Sequence, residues 1–174
     1  MEIRFVAPDL EALDALKCEA ILAAFFSDDR PLSGALGLID WRLCGFLSNQ
    51  LVRGTVLGTF GETVLVPLRP RFGVDKLFLL GLGPEKDFDH VALLGATTRM
   101  LQIVARAKVR TSALVLPGRS TGCIAAVDAM ESFVVASRGH GEQDELILLE
   151  PANAQREMDP IVQRERRRAR ASGD

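Results

Sequence analysis

The chain has 174 residues, of which 48% are hydrophobic and 25% charged, and its formal net charge is -2. That is one domain's worth, apolar enough to bury a sizeable core, so disorder is excluded for most of its length. Near-balanced charge excludes a nucleic-acid binder that works through the whole domain, and it excludes an acidic solvating chain.

Taken in order, Glu2–Val6 reads as a first strand. Glu19–Phe26 is a continuous apolar run bounded by Ser27-Asp28-Asp29 and Pro31, the pattern of a strand buried on both faces. From Ser33 to about Val52 the sequence predicts one helix. Leu36, Ile39, Leu43, Leu47 and Leu51 recur at steps of three and four, and Ser33 is a suitable N-cap. Gly61–Leu68 reads as a strand, and Pro67, which has no amide to give a ladder, places it at a sheet edge or a strand end. Lys76–Leu80 is a buried strand running into Gly81-Leu82-Gly83-Pro84. A helix is expected over about 88–107, with Asp87 as its N-cap and Leu93, Ala96, Met100, Ile103 and Ala107 as its core stripe.

Ser112–Leu116 is the next strand and leads into Pro117-Gly118-Arg119-Ser120-Thr121-Gly122. A helix over Ile124–Ser137 and a last strand over Glu145–Leu149 follow. Alternating strands and helices with buried strands predict an α/β fold, a mixed but mostly parallel sheet with helices on both faces. Residues 1–151 form the domain. Residues 152–174 are expected as an arginine-rich tail, partly helical or disordered.

The chemistry-bearing residues are sparse. His90 and His140 lie far apart, and Cys18, Cys44 and Cys123 form no C-x-x-C pair, so no zinc site is expected. Three scattered cysteines are read as reduced, with Cys44 and Cys123 packed in helices. His140, between Gly139 and Gly141, reads as an exposed loop residue. The segment 1–15 lacks the basic start and apolar run of a signal peptide. The run Ile21–Phe26 is far short of the roughly 20 residues that span a bilayer. A cytoplasmic protein without membrane contact is expected.

Two stretches carry a resemblance. One runs from Gly37-Leu38-Ile39-Asp40 to Gly54, Gly58 and Gly61-Glu62-Thr63-Val64-Leu65-Val66-Pro67-Leu68. The other is Asp75-Lys76-Leu77-Phe78-Leu79-Leu80-Gly81-Leu82-Gly83. In this order they resemble the N-terminal domain of the leucyl aminopeptidase (M17) family, over about residues 1–150. The resemblance implies a three-layer macro-domain-like fold. It also implies no catalysis in this chain, because the family's metal-binding Asp, Glu and Lys motifs belong to a C-terminal domain that nothing here matches. No catalytic residue, metal site or cofactor is therefore expected, and residues 155–171 look like the start of the family's connecting helix. Met1 and the polar end Ser172-Gly173-Asp174 favour a free-standing chain, with a fragment of a longer peptidase as the other reading.

Three ligand readings stand beside their structural alternatives. Gly118, Arg119, Ser120, Thr121 and Gly122 lie between a strand and a helix and offer glycines, hydroxyls and a guanidinium to a phosphate, or they form an ordinary loop. The resemblance to macro domains, which bind the diphosphate of ADP-ribose with a loop so placed, favours testing them. Gly81 and Gly83 open a second such turn, but Lys86 stands where a third glycine would complete G-x-G-x-x-G, and Asp87 and Asp89 repel anions. Asp87, Asp89 and His90 read as a helix cap. Arg164, Arg166, Arg167, Arg168 and Arg170 form a basic run that is either a solvated face or a salt-sensitive contact with nucleic acid. The function expected is a non-catalytic binding or assembly module, a homo-oligomer or the partner of another protein such as a full-length M17 peptidase. The alternative is a module for a nucleotide or ADP-ribose-like diphosphate. Enzyme activity ranks last, because no general base with a positioned partner can be named.

Overall fold

The computed structural model describes residues 2–140 and 143–171. Met1, Gly141 and the end at 172–174, which entered the expectations above, lie outside the described residues. Six strands form one sheet: β1 (Glu2–Val6), β2 (Ala20–Phe25), β3 (Thr63–Pro67), β4 (Lys76–Gly81), β5 (Thr111–Leu114) and β6 (Glu145–Leu149). Their order is β1-β6-β5-β2-β4-β3, with every neighbouring pair parallel except β3 with β4. The six residues of β2 are all buried, as a central strand with helices on both faces requires. β3 lies at one edge, so the missing amide of Pro67 costs the ladder nothing.

Alternation along the strands divides the core in two. Leu22, Ala24, Leu80, Leu114, Leu146 and Leu148 face α4 (His90–Arg106), α5 (Ala126–Ser137) and α6 (Ala152–Ala171). Ile21, Ala23, Leu77, Leu79, Ala113 and Ile147 face α1 (Leu10–Asp14), α2 (Gly34–Arg42) and α3 (Phe46–Val52). The fold is a three-layer α/β sandwich.

The structure corrects several expectations. The helix predicted over Ser33–Val52 is two helices, because Cys44 (φ 57°) and Gly45 (φ 74°) take left-handed backbone and break it. Asp40 makes the break stable: its buried carboxylate accepts from the amides of Leu47 (2.7 Å) and Ser48 (3.3 Å) and from the Ser48 hydroxyl, capping α3. Asp87 is not the cap of α4. It ends a 3₁₀ turn over Glu85–Asp87, and Asp89 caps the helix by accepting from the Ala92 amide at 2.8 Å. The buried face of α4 is Leu93, Ala96, Thr97, Met100, Leu101 and Val104, with Ile103 and Ala107 of the expected stripe half-buried beside it. Cys44 and Cys123 are exposed and lie outside helices, whereas burial pushes the Cys18 thiol up to about 11. Residues 152–171 form α6, with Ala154, Met158, Ile161 and Val162 buried against the sheet. No helix among the described residues is long and apolar enough to cross a membrane.

Candidate functional site

In a parallel sheet a ligand crevice opens where two neighbouring strands send their chains to opposite faces. One such point lies between β2 and β5. β2 leads to α2 on one face and β5 leads to α5 on the other. The crevice at their carboxyl ends is bounded by residues 26–34 and 115–125. The predicted loop Gly118–Gly122 forms one wall, and Ser120 packs on Gly34, the first residue of α2, at a distance that a Cβ would narrow to 3.2 Å.

The side chains of Arg119 and Thr121 in this loop are engaged within the fold. Arg119 lays Nε and Nη2 on the Glu150 carboxylate (3.0 to 3.3 Å) and donates from Nη1 to the carbonyl of Ile124 at 2.7 Å. Its side chain is 14% exposed and that of Glu150 is 1% exposed. Burial holds the Glu150 carboxyl above its ordinary range, and Arg119 opposes that shift. Thr121 donates to Glu85 at 2.6 Å, and the Glu85 amide donates to Asp28 at 3.0 Å, so three loops are tied across the crevice. Ser33 spends its hydroxyl on Asp29 (2.8 Å), which leaves the first turn of α2 without a side-chain cap. Ser120 Oγ is buried and meets no hydrogen-bond partner among the described residues.

Gly81 and Gly83 do not line this wall. They sit in a backbone knot with the loop before β3. Gly83 donates to the carbonyl of Gly58 (2.8 Å), Gly61 donates to Gly81 (2.9 Å), Gly81 donates to Glu62 (2.8 Å), and Ser27 donates to Gly83 (2.9 Å). A Cβ on Gly81 would lie 2.3 Å from the Thr59 carbonyl oxygen, so only glycine fits. Glu62 closes the knot by accepting from the amides of Leu57, Gly58 and Thr59. Gly58, Gly61, Glu62, Gly81 and Gly83, five of the residues that carried the sequence resemblance, thus meet in one place and hold β2, β3 and β4 together, whereas Gly37 and Asp40 lie in α2. Sequence reasoning missed the roles of Asp40, Glu62 and Glu150. The first two stand in the recognised motifs, whereas Glu150 carries no local signal.

The arginines of α6 do not share one face. Arg164 lies 3.7 Å from Glu131 and 3.6 Å from Glu165, and Glu165 also accepts from Arg168 at 2.8 Å. Arg166 donates to the carbonyl of Ile3 on β1 at 2.6 Å, while Arg167 and Arg170 are exposed. His90 stands 3.7 Å from Asp128 on the surface. No three His, Cys, Asp or Glu side chains among the described residues are grouped as a metal ion requires.

A second feature lies at the β3 edge. Between α3 and β3 an apolar cavity of roughly 200 Å³ opens to the surface, lined by Leu36, Phe46, Leu51, Val56, Val64 and Leu65. Phe46 and Leu65 are exposed beside it, and Trp41, Val52, Leu57 and Phe60 add exposed apolar surface on the neighbouring α2, α3 and the loop into β3.

Comparisons place this fold. Solved structures with the same architecture include a Trypanosoma brucei macrodomain in complex with ADP-ribose (TM-score 0.71, 16% identity, 92% of this chain and 69% of that one). They also include tomato leucine aminopeptidase (TM-score 0.59, 16% identity, 91% of this chain and 35% of that one). Curated relatives include probable cytosol aminopeptidases of Thermosynechococcus vestitus (30% identical over 97 residues, 56% of this chain) and Halorhodospira halophila (33% over 88 residues, 51% of this chain). The chain spans about a fifth of the length of these relatives. The family model for the cytosol aminopeptidase family, N-terminal domain, matches residues 21–138, the stretch that holds the motifs and the knot they build. This protein belongs to the cytosol aminopeptidase (M17) family, through that family's N-terminal domain.

Proposed function

We propose that this chain is a non-catalytic binding and assembly module, acting by self-association or by contact with another protein such as a full-length cytosol aminopeptidase. The observation that carries the reading is the apolar surface at one side of the sheet, where Phe46 and Leu65 flank an open apolar cavity. Exposed apolar surface gathered around a cavity marks interaction sites in soluble proteins. The relatives add support, because in them the matched region is a fifth of a longer chain. Light scattering over a hundredfold range of concentration tests it, alone and with a purified full-length cytosol aminopeptidase. A mass above one chain, or a complex with the peptidase, is expected. The mass of one chain throughout, with no complex, would overturn the reading.

A second reading has its own observation. Ser120 Oγ is buried without a partner beside the uncapped first turn of α2, at the crevice where an α/β sheet offers amides to an anion. The ligand would be a nucleotide or ADP-ribose-like diphosphate held by Gly118, Ser120, Thr121 and Gly122, with Arg119 shaping the loop; Gly81 and Gly83, in the knot with the loop before β3, take no part in this reading. The T. brucei macrodomains solved with ADP-ribose and with ADP support the choice of probe. Binding to the folded state at a hundredfold excess over Kd adds about 2.7 kcal/mol of stability. An unchanged melting temperature with saturating ADP-ribose and ADP would remove this reading.

A further inference from the structure

The assembly reading leaves open which surface makes the contact, and the backbone of β3 answers it. Gly81 donates to Glu62, and Leu68 donates to Asp75 at 2.9 Å. In the antiparallel register with β4, these bonds mean that even-numbered residues of β3 face β4. The N–H and C=O groups of Thr63 and Leu65, and the C=O of Pro67, therefore point out of the sheet. No strand or side chain among the described residues bonds to them, because β3 is the last strand in the order. Alternating donors and acceptors along an edge are matched only by another extended backbone.

We propose that the occupant is a second copy of this chain, with the two β3 strands pairing antiparallel about Leu65 so that two six-stranded sheets become one. In this register Leu65 of each copy donates to and accepts from Leu65 of the other. Thr63 of each copy donates to Pro67 of the other. Both outward N–H groups find acceptors, and Pro67, which has no N–H, is needed only as an acceptor. All five residues of β3 overlap. Glu62 and Arg69 at the strand ends are already engaged within each copy, by the amides of Leu57, Gly58 and Thr59 and by Asp75, so the joint is held by backbone bonds and apolar contact.

The side chains fit the same arrangement. Leu65 is 57% exposed and lies opposite Phe78 of β4, so the twofold axis brings two leucines together on an apolar strip. On the other face, Val64 and Val66 of the second copy extend the floor of the cavity under α3 and cover ground beside Phe46. Because the axis is perpendicular to the sheet, both α3 helices lie on the same face of the joined sheet.

The inference rests on the assembly reading, and one set of variants separates the two. Leu65→Asp or Leu65→Lys sets like charges directly opposite each other, which weakens pairing about a hundredfold. Each variant alone is expected to scatter as a monomer where the parent scatters as a dimer. An equimolar mixture of L65D and L65K is expected to recover the dimer, and that recovery excludes misfolding as the cause. A parent dimer that persists in both variants, or a mixture that stays monomeric, would overturn the β3 contact and leave assembly through another surface. A parent that is monomeric alone but binds a full-length cytosol aminopeptidase would overturn the self-contact while the broader reading stands.

Discussion

The two edges of the sheet are treated differently. At β1, Glu2 donates to Asp144 and Val6 accepts from Glu150, so Ile3 and Phe5 are the residues whose backbone faces outward. The chain supplies its own stopper there: α6 docks through Met158, Ile161 and Val162, and Arg166 sets its guanidinium on the Ile3 carbonyl. A charge on an edge carbonyl blocks the approach of another strand. At β3 no such group is present among the described residues, and the exposed side chain at mid-strand is Leu65. A domain protects the edge its own chain can reach, and the other edge remains for contacts outside it.

Four changes would break or sharpen this contrast. The largest effect is expected for Arg119→Ala, which leaves the buried Glu150 without its ion partner beside the end of β1. Removing one member of a buried pair costs about 3–5 kcal/mol, read by urea unfolding at pH 7. The deficit has a definite pH dependence. Glu150 is held above its ordinary value in the folded state, so its share of stability is full below the unfolded value and is lost as pH rises through the folded one. Without Arg119 the folded value rises further, so the deficit shrinks toward acid pH and grows toward alkaline pH. Self-association through β3 should survive in the fraction that remains folded.

Met158→Ala comes next. It empties a fully buried site under α6 and should cost about 2–5 kcal/mol in thermal or urea unfolding. Amide exchange should accelerate at Arg4 and Val6, whose N–H groups face β6 on the edge that α6 guards, before it does at Val64 and Val66. Asp40→Ala removes the cap of α3 and should cost about 1–2 kcal/mol. Because α3 lines the cavity beside β3, this variant should also weaken self-association, which light scattering reads directly. Arg166→Ala should cost about 1 kcal/mol or less, the worth of one exposed hydrogen bond. Its informative result is association: with both edges bare, masses above the dimer should appear as concentration rises.

Much of the scaffold was legible in the sequence because it depends on local pattern. The unbroken apolar run over Glu19–Phe26 marks a central strand, since burial on both faces removes any alternation. Pro67 marks an edge or a strand end, since a missing amide is tolerated only where no neighbour needs it. Other features were not legible. The break between α2 and α3 needs Cys44 and Gly45 in left-handed backbone, and a cysteine there gives no warning. The cap of α4 passed from Asp87 to Asp89 because the 3₁₀ turn over Glu85–Asp87 comes first and moves the helix start two residues along. The loop Gly118–Gly122 is easily seen as a strand-to-helix turn. That its guanidinium is directed at Glu150 is not, because the two lie 31 positions apart.

By itself, then, the sequence determined the order of the six strands along the chain, their burial, the choice of edge or strand end for β3 and the family motifs, all through the spacing of apolar residues, glycines and a proline, whereas it did not mark α1. Only the tertiary structure decided what those motifs do. Gly58, Gly61, Glu62, Gly81 and Gly83 form a knot because β2 and β4 end side by side, and that adjacency is a property of sheet order. It also decided that Arg119 is an internal tie, that Arg166 guards β1, and that β3 stands open. Each depends on which distant carboxylate, carbonyl or strand the folded chain brings within hydrogen-bond reach, and pairing at that range leaves no trace in local periodicity.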